Sequence, residues 1–144
     1  MMRYVAGLLF DADADRVALV RKNRPAWQAG KLNAIGGKIE PGETALAAMV
    51  REFGEETGVV LPGEAWRPVA ILSGPDFEVH FFAAFDDVIG AVRTVEDEEI
   101  VVTTTAEAMV DAALIPNLRV IIPIALDDTG IAKPVMLTDV RAAA

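Results

Sequence analysis

A mixed β-sheet sandwiched between helices, an α/β architecture, is the fold that this 144-residue sequence predicts. Three observations carry that prediction. Short runs alternate between two kinds of side chain and are separated by turn residues, which is the period of strands. The stretch 44–57 repeats its apolar residues at steps of three and four, which is the period of a helix. Many strands with few helices mixed among them suggest layers about one core, and the length suits a single domain spanning 1–144.

Residues 3–10 and 16–21 read as strands around the turn holding Asp11, Asp13 and Asp15. Lys22 to Lys31 reads as a basic loop, and a short strand from Leu32 to Ile35 runs into Gly36-Gly37. In the helix 44–57, Thr44 can cap the start and Gly58 sits where a helix stops. Leu46, Met49, Val50 and Phe53 form its apolar face. Residues 66–72 and 77–85 read as strands around the turn Ser73-Gly74-Pro75-Asp76, with Phe77, Val79 and Phe81 alternating with Glu78, His80 and Phe82. Residues 88–95 carry no clear pattern. A strand at Ile100–Thr104, a short helix at 106–113 and a longer one at 117–126 follow, with Pro123 expected to bend or end the latter. A last strand is expected at 134–137, and the tail Ala142-Ala143-Ala144 is expected to fray.

Composition narrows the function classes. Just over half the residues are apolar, at 53%, enough for a compact core. The chain has no cysteine, which removes disulfides and thiolate metal sites and agrees with a cytoplasmic location. A net charge of −9 gives no general attraction to nucleic acid polymers or anionic membranes. No run reaches the ~18 apolar residues of a membrane span. The apolar run before Asp11 is short and reads as a first strand rather than a targeting segment. Sequence leaves monomer and homodimer equally open.

The chemistry concentrates between Gly37 and Val59. Glu52, Glu55 and Glu56 stand at i, i+3 and i+4 and so share one helix face. Three carboxylates there repel one another, and Arg51 supplies only one compensating charge. A hard divalent ion with oxygen ligands relieves that repulsion, and Mg²⁺ fits. Charge runs are usually solvated faces, but here a Gly36-Gly37 loop, which lets backbone approach a ligand closely, leads straight into the helix.

Gly37, Glu43, Arg51, Glu52, Phe53, Glu55, Glu56, Gly58 and Val59 fill every fixed place of the Nudix box: Gly, five residues, Glu, seven residues, Arg-Glu, an apolar residue, one residue, Glu-Glu, one residue, Gly, an apolar residue. Chance agreement at a given start is on the order of 10⁻⁹. The sequence thus resembles the Nudix hydrolases; Phe53 is bulkier than the aliphatic residue usual at its place. The resemblance implies a Nudix fold and metal-dependent hydrolysis of a nucleoside diphosphate linkage. It implies Glu52 and Glu56 as metal ligands, aided by Glu55 and the carbonyl of Gly36, with Mg²⁺ as cofactor and Mn²⁺ as a substitute. Arg51 orients these glutamates, and Glu43 supports the joint between loop and helix. An acidic residue from beyond the box often completes such sites. The run Glu96-Asp97-Glu98-Glu99 offers one, and Glu98, ahead of the strand at Ile100, is the choice.

The implied substrate is a small nucleotide. Asn33, before Gly36-Gly37, and Asn117, after Pro116, resemble base-facing amides in MutT-like nucleoside triphosphatases that act on oxidised purines such as 8-oxo-dGTP. An amide offers donor and acceptor together, which suits a purine edge; each Asn can equally serve as a local cap. Arg21 and Lys38 are candidates to neutralise phosphates, and Trp27 to stack on a base. Trp66 and His80 read as structural. A Pro75 sixteen residues past Val59 resembles the ADP-ribose pyrophosphatases, so an ADP-ribose or nucleotide-sugar substrate stays as the alternative. A non-catalytic nucleotide-binding regulator is the alternative of another class, although such proteins typically lose box glutamates that are all kept here.

Overall fold

The computed structural model describes residues 1–140, and the alanine tail 142–144 lies outside them. The chain runs β1 (Met2–Phe10), β2 (Arg16–Arg21), β3 (Leu32–Asn33), β4 (Ile35–Lys38), α1 (Ala45–Thr57), β5 (Arg67–Ser73), β6 (Phe77–Phe85), β7 (Glu99–Thr104), α2 (Thr105–Val110), α3 (Leu118–Leu126) and β8 (Val135–Thr138). Short 3-10 turns at Ala26–Gln28, Gly63–Ala65 and Asp87–Ala91 fill connections. The sheet is mixed, in the order β3-β2-β1-β6-β5-β8, with β4 also on β1 and β7 also on β2.

Strand alternation divides the core into two layers. Ala6, Leu8 and Phe10 of β1 face one side, with Val17 and Leu19 of β2, Phe81 and Ala83 of β6, and Leu118, Ile121 and Ile122 of α3. Val5 and Leu9 face the other side, with Ala18, Val20, Phe82, Ala84, and Met49 and Phe53 of α1. This is the expected sandwich, since each helix buries one stripe against a sheet that is apolar on both faces. Gly7 lets α1 approach β1, because a Cβ there would stand 2.6 Å from the Met49 methyl.

Three local expectations change. The strand expected at 32–35 is two strands, because the Asn33 side-chain oxygen accepts from Ala34 N at 2.8 Å and breaks the ladder there. Leu46 of α1 is exposed, so the apolar stripe is narrower than its spacing implies. The helix expected at 106–113 ends at Val110, since Ala113 O and Ile115 N are taken by Leu32 of β3. Arg119 caps that end by donating to Met109 O and Asp111 O. Pro123 sits inside α3 without ending it. Among the described residues, no helix is long and apolar enough to cross a membrane.

The fork between β1 and β2 positions the site. These strands pair only at Leu9↔Ala18 and Phe10↔Val17. Beyond that, β1 turns to β4, with Tyr4↔Lys38 through Gly7↔Ile35, while β2 turns to β3 and β7. The sheet therefore opens at one end, with α1 on one side of the opening and α3 on the other.

Candidate active site

A cavity of about 1300 Å³ occupies the fork. Its acidic end is lined by Gly36, Gly37, Lys38, Glu52, Glu56 and Glu98, and by Lys22 and Arg24. Its other end lies between sheet and α3, with Asn33, Val79, Phe81, Asn117 and Ile121 among its walls, and Trp27 at its mouth.

The acidic end is built on α1. Thr44 caps the helix by accepting from Ala47 N at 3.1 Å, and Gly58, at φ 77°, closes it in the left-handed conformation that favours glycine. Buried Thr57 binds Phe53 O and Val59 N, holding the last turn against the core. Arg51 is the hub. It donates to Glu43 at 2.7 and 2.9 Å, to Glu52 at 2.9 Å, to Glu55 at 3.3 Å and to the carbonyl of Lys38 at 3.1 Å. Glu43 also accepts from Glu40 N, tying the loop to the helix. Hydrogen bonds from Arg51 hold the Glu43 carboxyl at about 2. Arg51 thus joins the loop before the helix to the carboxylates on it.

Glu52 and Glu56 face the cavity. Burial pushes the Glu52 carboxyl up, and Arg51 pulls it back in part. Glu56 is pushed up to about 7, first by burial and then by the charges of Glu96, Glu52 and Glu98, with Lys22 pulling it back in part. Gly36 and Gly37 complete the wall: a Cβ on Gly36 would collide with the Val5 carbonyl, and one on Gly37 with the Glu52 carboxylate. Glu55 does not line the cavity; its side chain is half exposed and rests on Arg51.

Glu98 comes to the same cavity wall from 42 positions beyond Glu56, but both of its oxygens are bonded. Oε1 accepts from Lys22 Nζ at 2.9 Å and Oε2 from Asn23 N at 2.6 Å. Burial raises the Glu98 carboxyl, and the Asn23 and Lys22 donors outweigh it, leaving a net lowering. Among the described residues, no three acidic or histidine side chains form a ready-made metal cage. The protein's own cations instead occupy the carboxylates. The donor set is all oxygen and crowded with like charge, which fits a hard divalent cation able to compete with Arg51 and Lys22.

Arg21, the candidate phosphate contact at the end of β2, does not line the cavity. Arg21 projects away from the cavity, binding Gly30 O at 3.1 Å and lying 3.6 Å from Glu99. Neighbouring Lys22 and Arg24 line the cavity instead. Lys38 and Trp27 also line it, with Trp27 65% exposed. Asn33 lines it with its amide committed to Gln28 at 3.0 Å and to Ala34 N. Asn117 starts α3 without a side-chain capping bond, and its buried Oδ1 has no hydrogen-bond partner among the described residues. Pro75 stays in the β5–β6 turn, outside the cavity lining. His80 pairs with Glu78 at 2.5 Å, and Trp66 packs edge-on to Phe53, both structural.

The NUDIX domain model matches residues 1–123. No curated protein matches the chain. Among solved structures, the chain is similar to MutT from Aliivibrio salmonicida and Vibrio cholerae, at 23% identity and a TM-score of 0.72, covering 86% of this chain and 96% of that one. A mutator MutT protein from Bacillus halodurans matches at 20% identity and 0.67, over 89% and 84%. A MutT/nudix family protein from Enterococcus faecalis matches at 21% and 0.60, over 72% of this chain and 43% of that one.

Proposed function

The chain belongs to the Nudix family of pyrophosphohydrolases, which generally use divalent metal ions, and on that premise we propose that it hydrolyses a purine nucleoside triphosphate to the monophosphate and pyrophosphate with Mg²⁺, or Mn²⁺ in its place. The observation that carries this reading is one cavity joining an acidic, cation-hungry end to a pocket holding an unsatisfied amide oxygen. Glu52 and Glu56, with the Gly36 carbonyl beside them, would hold the ion. When bound, a divalent cation neutralises phosphate oxygens and acidifies the attacking water.

The residues of the chain do the rest. Arg51 fixes Glu52 and Glu55, so the helix presents its carboxylates without a search over rotamers. Lys22, Arg24 and Lys38 supply positive charge along the path of a triphosphate. Asn117 Oδ1 accepts from an N–H of the base, and Trp27 covers it at the mouth.

The test is product analysis with Mg²⁺ on guanine, 8-oxoguanine, adenine and pyrimidine triphosphates beside ADP-ribose, with a chelator control. Monophosphate plus pyrophosphate from a purine triphosphate is expected. A higher kcat/KM for ADP-ribose would overturn the substrate reading.

A further inference from the structure

The antiparallel ladder between β2 and β7 has six rungs and ends at Arg21↔Glu99. The next residues do not separate. Side chains replace the ladder: Asn23 N donates to Glu98 Oε2 at 2.6 Å, Asn23 Nδ2 to Asp97 O at 3.2 Å, Lys22 Nζ to Glu98 Oε1 at 2.9 Å and Arg24 Nη1 to Asp97 Oδ2 at 2.8 Å. Three consecutive residues of the basic loop thus grip two consecutive residues of the acidic loop.

The grip opposes a definite force. Glu96 and Glu98 are carried toward Glu52 and Glu56, and all four are carboxylates, so the acidic loop is repelled from α1. Without a counterweight the loop would swing outward. A cation entering the site would then have to recover the loop before using its charge.

We propose that Arg24 and Asp97 are positioning residues: their ion pair, with Asn23, clasps the acidic loop 96–98 against the carboxylate face of α1 and so sets the site's affinity for its divalent cation. The inference rests on the divalent-cation reading above. Neither residue touches the cation in this arrangement, and the measurement uses the cation without nucleotide, so the charge that Arg24 offers a triphosphate does not enter it. Their effect passes through the loop backbone to Glu96 and Glu98.

Charge counting and clasping give opposite signs for one substitution. Arg24→Gln removes a cation from the neighbourhood of an acidic site, so simple electrostatics makes cation binding tighter. The clasp makes it weaker. The measurement is calorimetric titration of Mn²⁺ alone into the metal-free full chain, for wild type, Arg24→Gln, Asp97→Asn and the double variant. The pair is exposed, so each single change should weaken Mn²⁺ binding about two- to fivefold. The double variant should be no weaker than the weaker single, since both remove one interaction. Unchanged or tighter binding in Arg24→Gln overturns the clasp. Additive losses overturn it too, as does weakening that accompanies unfolding in a thermal melt. A wild type that takes up no Mn²⁺ overturns the cation reading and the clasp together, whereas wild-type binding with an indifferent Arg24→Gln overturns the clasp alone.

Discussion

Gly37 and Glu52 meet across the gap between β4 and α1 so closely that a Cβ on Gly37 would stand 2.5 Å from the Glu52 carboxyl carbon. The atom it would strike is the end of a movable side chain. At Gly36 the obstacle is the carbonyl of Val5 in the central strand, which cannot move without disturbing the ladder. Gly37→Ala should therefore displace Glu52 and cost ~10²-fold in turnover, with stability nearly unchanged. Gly36→Ala should cost about 3 kcal/mol in stability. Urea melts beside turnover assays check the contrast; equal loss of stability in both variants would refute it.

Glu56 links the site to stability in the metal-free protein. Its carboxyl is raised from 4.5 to about 7 in the fold, so the folded state holds a proton that the unfolded chain releases earlier. The associated stability is full below about 4.5 and is lost as pH rises through 7. Glu56 is only partly buried, and screening reduces the effect to about 1 kcal/mol. Glu56→Gln should remove this pH dependence and melt higher than wild type at pH 8 in chelator. With Mg²⁺ present it should lose at least ~10²-fold in turnover. Melting curves from pH 4.5 to 8 decide the first point, and a wild-type curve that rises with pH across that window would contradict it.

Asn33 and Asn117 should behave differently despite similar sequence settings. Asn117 carries a buried acceptor without a partner among the described residues, at a cost of ~1–3 kcal/mol that only a donor can recover. Asn117→Ala should leave the free protein as stable or more so, while flattening preference among bases. The Asn33 amide already serves Gln28 and Ala34 N. Asn33→Ala should lower stability by about 1 kcal/mol and leave the base ranking unchanged. Relative kcat/KM across the nucleotide panel, read beside melting temperatures, separates the two; a flattened ranking in Asn33→Ala alone would reverse the assignment.

What the sequence made legible was local. Spacing places Glu52 and Glu56 on one face of α1, and the Thr44 and Gly58 signals bound that helix to within a residue. The choice among basic residues was not legible, for a physical reason. Both faces of β2 are buried, with Val17 and Leu19 in one core layer and Ala18 and Val20 in the other. A strand with an unbroken apolar interior gives no inward or outward parity, so nothing local told Arg21 at its end from Lys22 just beyond it. The partners of Lys22, Asn23 and Arg24 were equally hidden, since the β2–β7 ladder that brings them to residues 97 and 98 joins segments far apart in sequence. Strand breakage at Ala34 depended on one side-chain hydrogen bond, which no periodicity records.

The parallel pairing of β1 with β6 fixes when the catalytic helix can take its place. Nine rungs run from Met2↔Phe77 to Phe10↔Phe85, and α1 lies within the chain that connects them. During synthesis, the first strand and the glutamate-bearing helix must emerge and wait before residue 85 exists to complete the sheet beneath them. Closing so long a segment forms few rewarding contacts until late, so refolding should be slow beside that of a helical bundle of equal length. In that interval the half-made protein displays a wide apolar strand surface, and charge protects it little, since residues 1–85 carry nine Lys and Arg against eleven Asp and Glu and most of the chain's excess of acid follows later.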